Sequence, residues 1–185
     1  MSDVTLFLCY NRTMKQKLVY SGPIFDFVQS EVEIKGKTYP RDIIKVPGGV
    51  GILLVINGQI LLVKQHRAAI DAYTLEIPAG KLEYGEDPKE TAFRELNEET
   101  GYDCKDLQLI HHFVPTPAFC NENIWIYKAI EPSLATNRLA MDEDEEIELF
   151  WMPVKEAYVR MQNEEIQDAK TMLAIYYAMM EGSEL

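Results

Sequence analysis

The chain is short of basic residues, of cysteine and of long apolar runs, and each shortage excludes something. Its 18 Lys and Arg face 30 Asp and Glu in 185 residues, a formal net charge of −12. Nucleic-acid affinity rests on Lys and Arg displacing counterions from phosphates, so no nucleic-acid partner is expected. No apolar run reaches the ~18 residues of a spanning helix, so no membrane partner is expected. The opening "MSDVTLFLCYNRTMKQK" has an apolar patch but no basic region before it, and is not read as a signal peptide. The three cysteines, Cys9, Cys104 and Cys120, form no C-x-x-C pair. An odd count without a secretory signal points to reduced thiols and a cytoplasmic location.

What is present is enough chain for one domain with a sizeable core and a modest extension. No repeat or low-complexity linker interrupts it. "IFDFVQSEVEI" and "YPRDIIKV" read as strands around Lys35-Gly36-Lys37. "VGILLVI" and "QILLVKQ" flank Asn57-Gly58, a type I′ hairpin signal. "YTLEIPAG", "LQLIHHFV", "ENIWIYKAI" and "IELFWMPV" read as further strands. "DAKTMLAIYYAMM" repeats its apolar positions at helical spacing, and a shorter helix starts near Val154. Many strands with few helices indicate an α+β fold.

The densest chemistry lies between Pro78 and Tyr102, where 25 residues hold six glutamates. Asp87 suits an N-cap, Pro88 the first helical position, Glu90 the acid of a capping box and Gly101 the C-terminal stop. The spacing predicts a helix over 88–100. At ~100° per residue, Arg94, Glu98, Glu95 and Glu99 fall within ~140° of one another, with Ala92, Phe93 and Leu96 on the adjoining face. Carboxylates grouped in this way need a cation to stay charged together. Oxygen donors call for a hard ion, Mg²⁺ or Mn²⁺, and no Cys/His cluster competes for the role.

This segment resembles the Nudix box, G-x5-E-x7-R-E-U-x-E-E-x-G-U with U apolar. Gly80, Glu86, Arg94, Glu95, Glu98, Glu99 and Gly101 match every fixed position. Leu96 fills the first apolar place and Tyr102 the second, where an aliphatic residue is more usual. The resemblance implies a mixed β-sheet sandwiched between α-helices over 41–180. Residues 1–40 form an N-terminal antiparallel strand extension outside that core, used for dimerisation, so a homodimer is expected. It also implies metal ligation by Glu95, Glu98 and Glu99, joined by the Ala79 carbonyl, with Glu86 reaching metal through water. Arg94 is implied to orient the glutamates.

The flanks are similar to the ADP-ribose pyrophosphatase subfamily in Gln65-x-Arg67 and Glu76-x-Pro78-Ala79-Gly80, and in Pro117, although Ala118 replaces the usual glycine. That resemblance covers residues 20–178. It implies a nucleoside diphosphate sugar substrate, ADP-ribose, split to AMP and ribose 5-phosphate. It places substrate contacts at Arg41 (across a dimer), Arg67, Glu76 and Pro117. In the acidic run "MDEDEEIE" it implies a general base at Glu143 or Glu145, with Glu98 and Arg94 in the catalytic set. Another nucleoside diphosphate sugar or a dinucleotide as substrate is the enzymatic alternative, and an ADP-ribose sensor the non-enzymatic one. A complete set of metal glutamates weighs against the sensor. The acidic balance weighs against an RNA cap hydrolase. Met14 is read as an alternative start, because the family-like pattern begins only after it.

Overall fold

The computed structural model describes residues 15–141 and 146–182. Met14, Glu143 and Glu145 lie outside the described residues. Among the described residues, no helix is long and apolar enough to cross a membrane. The chain divides into two compact units. One is the described part of Met1–Val46 together with Thr116–Asn121; the other is Pro47–Pro115 with the described part of Glu122–Leu185.

The first unit is an antiparallel sheet in the order β1 (Gln16–Ser21), β2 (Asp26–Ile34), β3 (Lys37–Lys45). Lys35 and Gly36 turn the β2–β3 hairpin with φ of 52° and 75°, the left-handed pair that a type I′ turn requires. Residues 116–121 lie along the end of β3. Ile44 N–H donates to the Phe119 carbonyl at 2.8 Å, and Asn121 N–H returns to the Ile44 carbonyl at 3.2 Å.

The second unit holds two sheets. One runs β8 (Ala79–Lys81), β4 (Gly49–Leu53), β10 (Ile124–Leu134), β9 (Tyr102–Phe113); β4 and β10 pair parallel and the other neighbours antiparallel. The other runs β11 (Glu148–Pro153), β6 (Gln59–Arg67), β5 (Val55–Ile56), with β7 (Ala72–Glu76) also on β6. Three helices complete it: α1 (Pro88–Thr100), α2 (Val154–Gln162) and α3 (Ala169–Gly182).

Strand alternation explains the layering, because successive side chains point to opposite faces. Val50, Ile52, Leu54 and Leu61 pack with Ala92 and Leu96 of α1. Their neighbours Leu53, Ile60 and Leu62 pack with Ala157 and Met161 of α2 and with Ala174 and Ile175 of α3. β4 is buried along its whole length, the mark of a strand covered on both faces. This is the expected α+β sandwich.

Two expected strands are broken. "VGILLVI" divides at Leu54 into β4 and β5, and "YTLEIPAG" divides at Ile77-Pro78 into β7 and β8. Pro78 has no N–H to give a ladder. The Ile77 N–H leaves the sheet for Thr171 Oγ1 at 2.8 Å. The Pro78 carbonyl accepts from Ile52 N–H, also at 2.8 Å. The chain thereby changes sheets, leaving β6 and joining β4, and this change delivers Ala79 and Gly80 to the base of α1.

Candidate active site

Helix α1 begins and ends where its caps dictate. Asp87, at φ −76° and ψ 126°, accepts from the backbone N–H of Lys89 and Glu90. Gly101 takes the left-handed conformation, φ 71°, and donates its N–H to the Asn97 carbonyl at 2.8 Å. Between the caps the helix turns Ala92 and Leu96 into the core. Glu95 and Glu99 are buried as well, at 7% and 1% exposure. Burying carboxylates is costly unless they are paired and hydrogen-bonded, so the surroundings of these two carry the interest.

Glu99 Oε2 accepts the Ala79 N–H at 2.9 Å. Arg94 Nη1 stands 2.8 Å from Glu95 Oε1 and 2.8 Å from Glu98 Oε2, and its Nε 3.5 Å from Glu86 Oε1. Burial alone would lower the pKa of Arg94, but the charges of Glu95, Glu98 and Glu86 drive it upward, so the guanidinium is a fixed positive charge. The Glu83 N–H holds the Glu86 carboxyl below its ordinary value. Three box carboxylates, Glu86, Glu95 and Glu98, thus share the Arg94 guanidinium. Gly80 explains itself by what surrounds it: a Cβ there would lie 1.8 Å from Glu95 Cδ. The acid side chain occupies the space that any other residue would need.

These groups border a cavity of about 690 Å³, within the size range of small-molecule sites. Glu95, Glu98 and Arg94 line it from α1, Ala79, Gly80 and Lys81 from β8, and Gln65 and Arg67 from the end of β6. Glu122 and Lys170 line it too, and sequence reasoning missed both as site residues. Glu122 sits in a short loop before β10, and its type and position carry no pattern. Lys170 lies in the first turn of α3, inside "DAKT", where Asp168 followed three residues later by Thr171 was a legible cap signal. Burial raises the Glu122 carboxyl, opposed by the charge of Lys170. Gln65 Nε2 is buried with no protein partner among the described residues.

Arg67 Nε and Nη2 grip Glu76 in a bidentate pair at 2.7 and 2.6 Å. Glu76 is 2% exposed and also accepts from Thr74 Oγ1 at 2.6 Å and Lys170 Nζ at 2.5 Å. Burial pushes this carboxyl up, but the hydrogen bond from Arg67 and the adjacent Lys170 charge overcome it and bring it down to about 2. Glu76 therefore stands behind Arg67 rather than in the cavity wall. Arg41 and Pro117 belong to the other unit. Arg41 Nη1 donates to the Pro40 carbonyl at 2.8 Å, and Pro117 is exposed in a turn.

The donor set of the box is all oxygen, and among the described residues no His or Cys lines the cavity. That chemistry fits a hard divalent cation. Among the described residues no three acids, histidines or cysteines already converge as a metal cage; Glu95 and Glu98 face Arg94, and Glu99 faces the Ala79 amide.

The family description "NUDIX domain" matches residues 45–174. The chain is 39% identical over 171 residues to an ADP-ribose pyrophosphatase of Bacillus subtilis, covering 91% of this chain and 92% of that protein. It is 37% identical to a methanol dehydrogenase activator of Bacillus methanolicus, covering 92% and 93%. A GDP-mannose pyrophosphatase of Yersinia enterocolitica is 31% identical, covering 77% and 78%. Among solved structures, an ADP compounds hydrolase superposes with a TM-score of 0.78 over 92% of each chain at 19% identity, a likeness of fold.

Proposed function

Since the chain belongs to the Nudix family, we propose that it is a hydrolase that splits the diphosphate of ADP-ribose into AMP and ribose 5-phosphate. One observation carries the reading. One cavity is lined by Glu95 and Glu98 of the box together with Arg67 and Lys170, a combination suited to a diphosphate held between a bound cation and the Arg67 guanidinium. Relatives named as ADP-ribose pyrophosphatases support the choice of substrate.

We assign Glu95, Glu98, Glu99 and the Ala79 carbonyl to a divalent cation, Mg²⁺ or Mn²⁺. Such an ion, when bound, offsets the charge of the diphosphate oxygens. Arg94 keeps Glu95 and Glu98 aligned and the Ala79 amide holds Glu99, and Arg67 Nη1 is available to a phosphate oxygen because Nε and Nη2 are taken by Glu76. The general base is assigned to Glu143 or Glu145. It takes a proton from water, whose oxygen bonds to the adenosyl phosphorus as the bond from that phosphorus to the bridging oxygen breaks. AMP carries the new oxygen and ribose 5-phosphate leaves. Of Glu143→Gln and Glu145→Gln, one is expected to lower kcat by about 10²- to 10⁴-fold, and wild-type turnover in both would remove the base from this loop.

The same reading includes a cytoplasmic homodimer built through the N-terminal strands, with Arg41 and Pro117 contributing to the substrate site. A relative named as a GDP-mannose pyrophosphatase keeps another nucleoside diphosphate sugar as the second reading. Product analysis over a panel of nucleoside diphosphates, triphosphates and capped RNA, with Mg²⁺ and then with a chelator, separates them. ADP-ribose is expected to be cleaved fastest and only with metal; preference for a triphosphate defeats the proposal.

A further inference from the structure

We propose that Lys170 is a positioning residue of this site, acting on the substrate through Glu76 and Arg67. The inference rests on the reading of the cavity as a diphosphate site, and extends it to a residue 94 positions from its partner.

The Glu76 carboxylate is filled on every side. Arg67 Nε and Thr74 Oγ1 donate to Oε1, and Arg67 Nη2 and Lys170 Nζ donate to Oε2. Its side chain is 3% exposed and that of Lys170 13%, whereas that of Arg67 is 42%. Both cations border the cavity, and Arg67 is the more open of the two. Lys170 is itself anchored, with Nζ 3.0 Å from Asp168 Oδ1. Asp168 uses its other oxygen to accept the Thr171 N–H at 3.0 Å and Thr171 Oγ1–H at 2.6 Å. Thr171 Oγ1 then accepts the Ile77 N–H at 2.8 Å. The first turn of α3 is buttoned to the Glu76-Ile77 segment by two adjacent links, one ionic and one neutral.

The consequence is geometric. A guanidinium on a long side chain wanders unless its partner is fixed. The partner here is a carboxylate at a strand end, and Lys170 is the second cationic donor to its Oε2. Without it, Oε2 loses a charge-assisted bond, Glu76 can rotate, and the bidentate grip that aims Arg67 Nη1 is lost. Lys170 commits two of its three ammonium donors to the carboxylates of Glu76 and Asp168, and its assigned role is to hold Glu76.

A double-mutant cycle on hydrolysis kinetics tests this. Lys170→Met should raise KM about 10-fold, up to about 100-fold, the scale of a lost charge-assisted hydrogen bond, with kcat changed by less than about threefold. Arg67→Met should raise KM comparably. In the Arg67→Met background, Lys170→Met should change KM by less than about twofold, because coupled residues are non-additive. An unchanged KM in Lys170→Met, or effects that multiply in the double variant, overturns the proposal; multiplication would mean that Lys170 meets the substrate directly. Should Lys170→Met fail to fold by circular dichroism, Lys170→Gln replaces it in the same cycle with the same criterion. A wild type that prefers another nucleoside diphosphate sinks the ADP-ribose reading alone, and the cycle read on that substrate still decides the role of Lys170.

Discussion

Gly80 and Glu95 show how a single absent atom can set the geometry of a site. The Cβ that Gly80 lacks would meet Glu95 Cδ at 1.8 Å, and the Glu95 side chain is only 10% exposed, so it has little room to retreat. Gly80→Ala is expected to cost about 1–3 kcal/mol through overpacking and to lower turnover about a hundredfold by displacing the carboxylate. Steady-state kinetics beside a thermal melt checks both; a wild-type rate would mean that the Glu95 position is immaterial. Glu76 makes the second residue-scale point. Its carboxyl is lowered from 4.5 to about 2 in the folded chain, so its stabilisation is complete above about pH 4.5 and is lost as pH falls toward 2. The linkage is on the order of 3 kcal/mol. Urea midpoints of the wild type should therefore fall more steeply than those of Glu76→Gln across that window. Parallel curves would show that Glu76 is not a source of acid sensitivity.

At the scale of elements, caps decided what could be read in advance. Asp87-Pro88 and Gly101 bound α1 where the sequence reading had set it, because each acts locally: a side chain on two amides, a fixed φ, a left-handed stop. Asn57-Gly58 marked its hairpin for the same reason, with φ of 52° and 74°. The divisions at Leu54 and at Ile77-Pro78 were not legible. A proline after an apolar residue says that a ladder bond is missing; it does not say that the chain will cross to another sheet, which depends on Thr171 and Ile52 receiving the neighbouring amide and carbonyl. Cap energetics are testable at α1. Asp87→Ala removes the acceptor of the Lys89 and Glu90 amides and is expected to cost about 1 kcal/mol, a fall of about 2–4 °C in Tm for a chain of this size, read by differential scanning calorimetry. An unchanged Tm would mean that water caps the helix equally well.

At the scale of the whole molecule, the N-terminal sheet and its β1–β2 connection leave Leu18, Tyr20 and Ile24 more than half exposed, at 57%, 53% and 58%. Strand edges and apolar faces of this kind are ordinarily covered, and we expect a second copy to cover them. Light scattering at micromolar concentration should give a mass near twice the 21.3 kDa of one chain; a monomer would leave this sheet without the assigned role. The box glutamates were legible from spacing because they share one helix. Lys170 and Glu122 were not, because only the folded chain brings residues from three separate regions to one cavity. That dispersal has a consequence for synthesis. The cavity wall begins at Gly48 and is finished by Lys170, and its middle depends on β10 lying parallel to β4, a pairing that must wait for a long loop to close. A chain that stops short of Lys170 therefore carries the box, Arg67 and Gly80 in order but lacks part of the cavity lining.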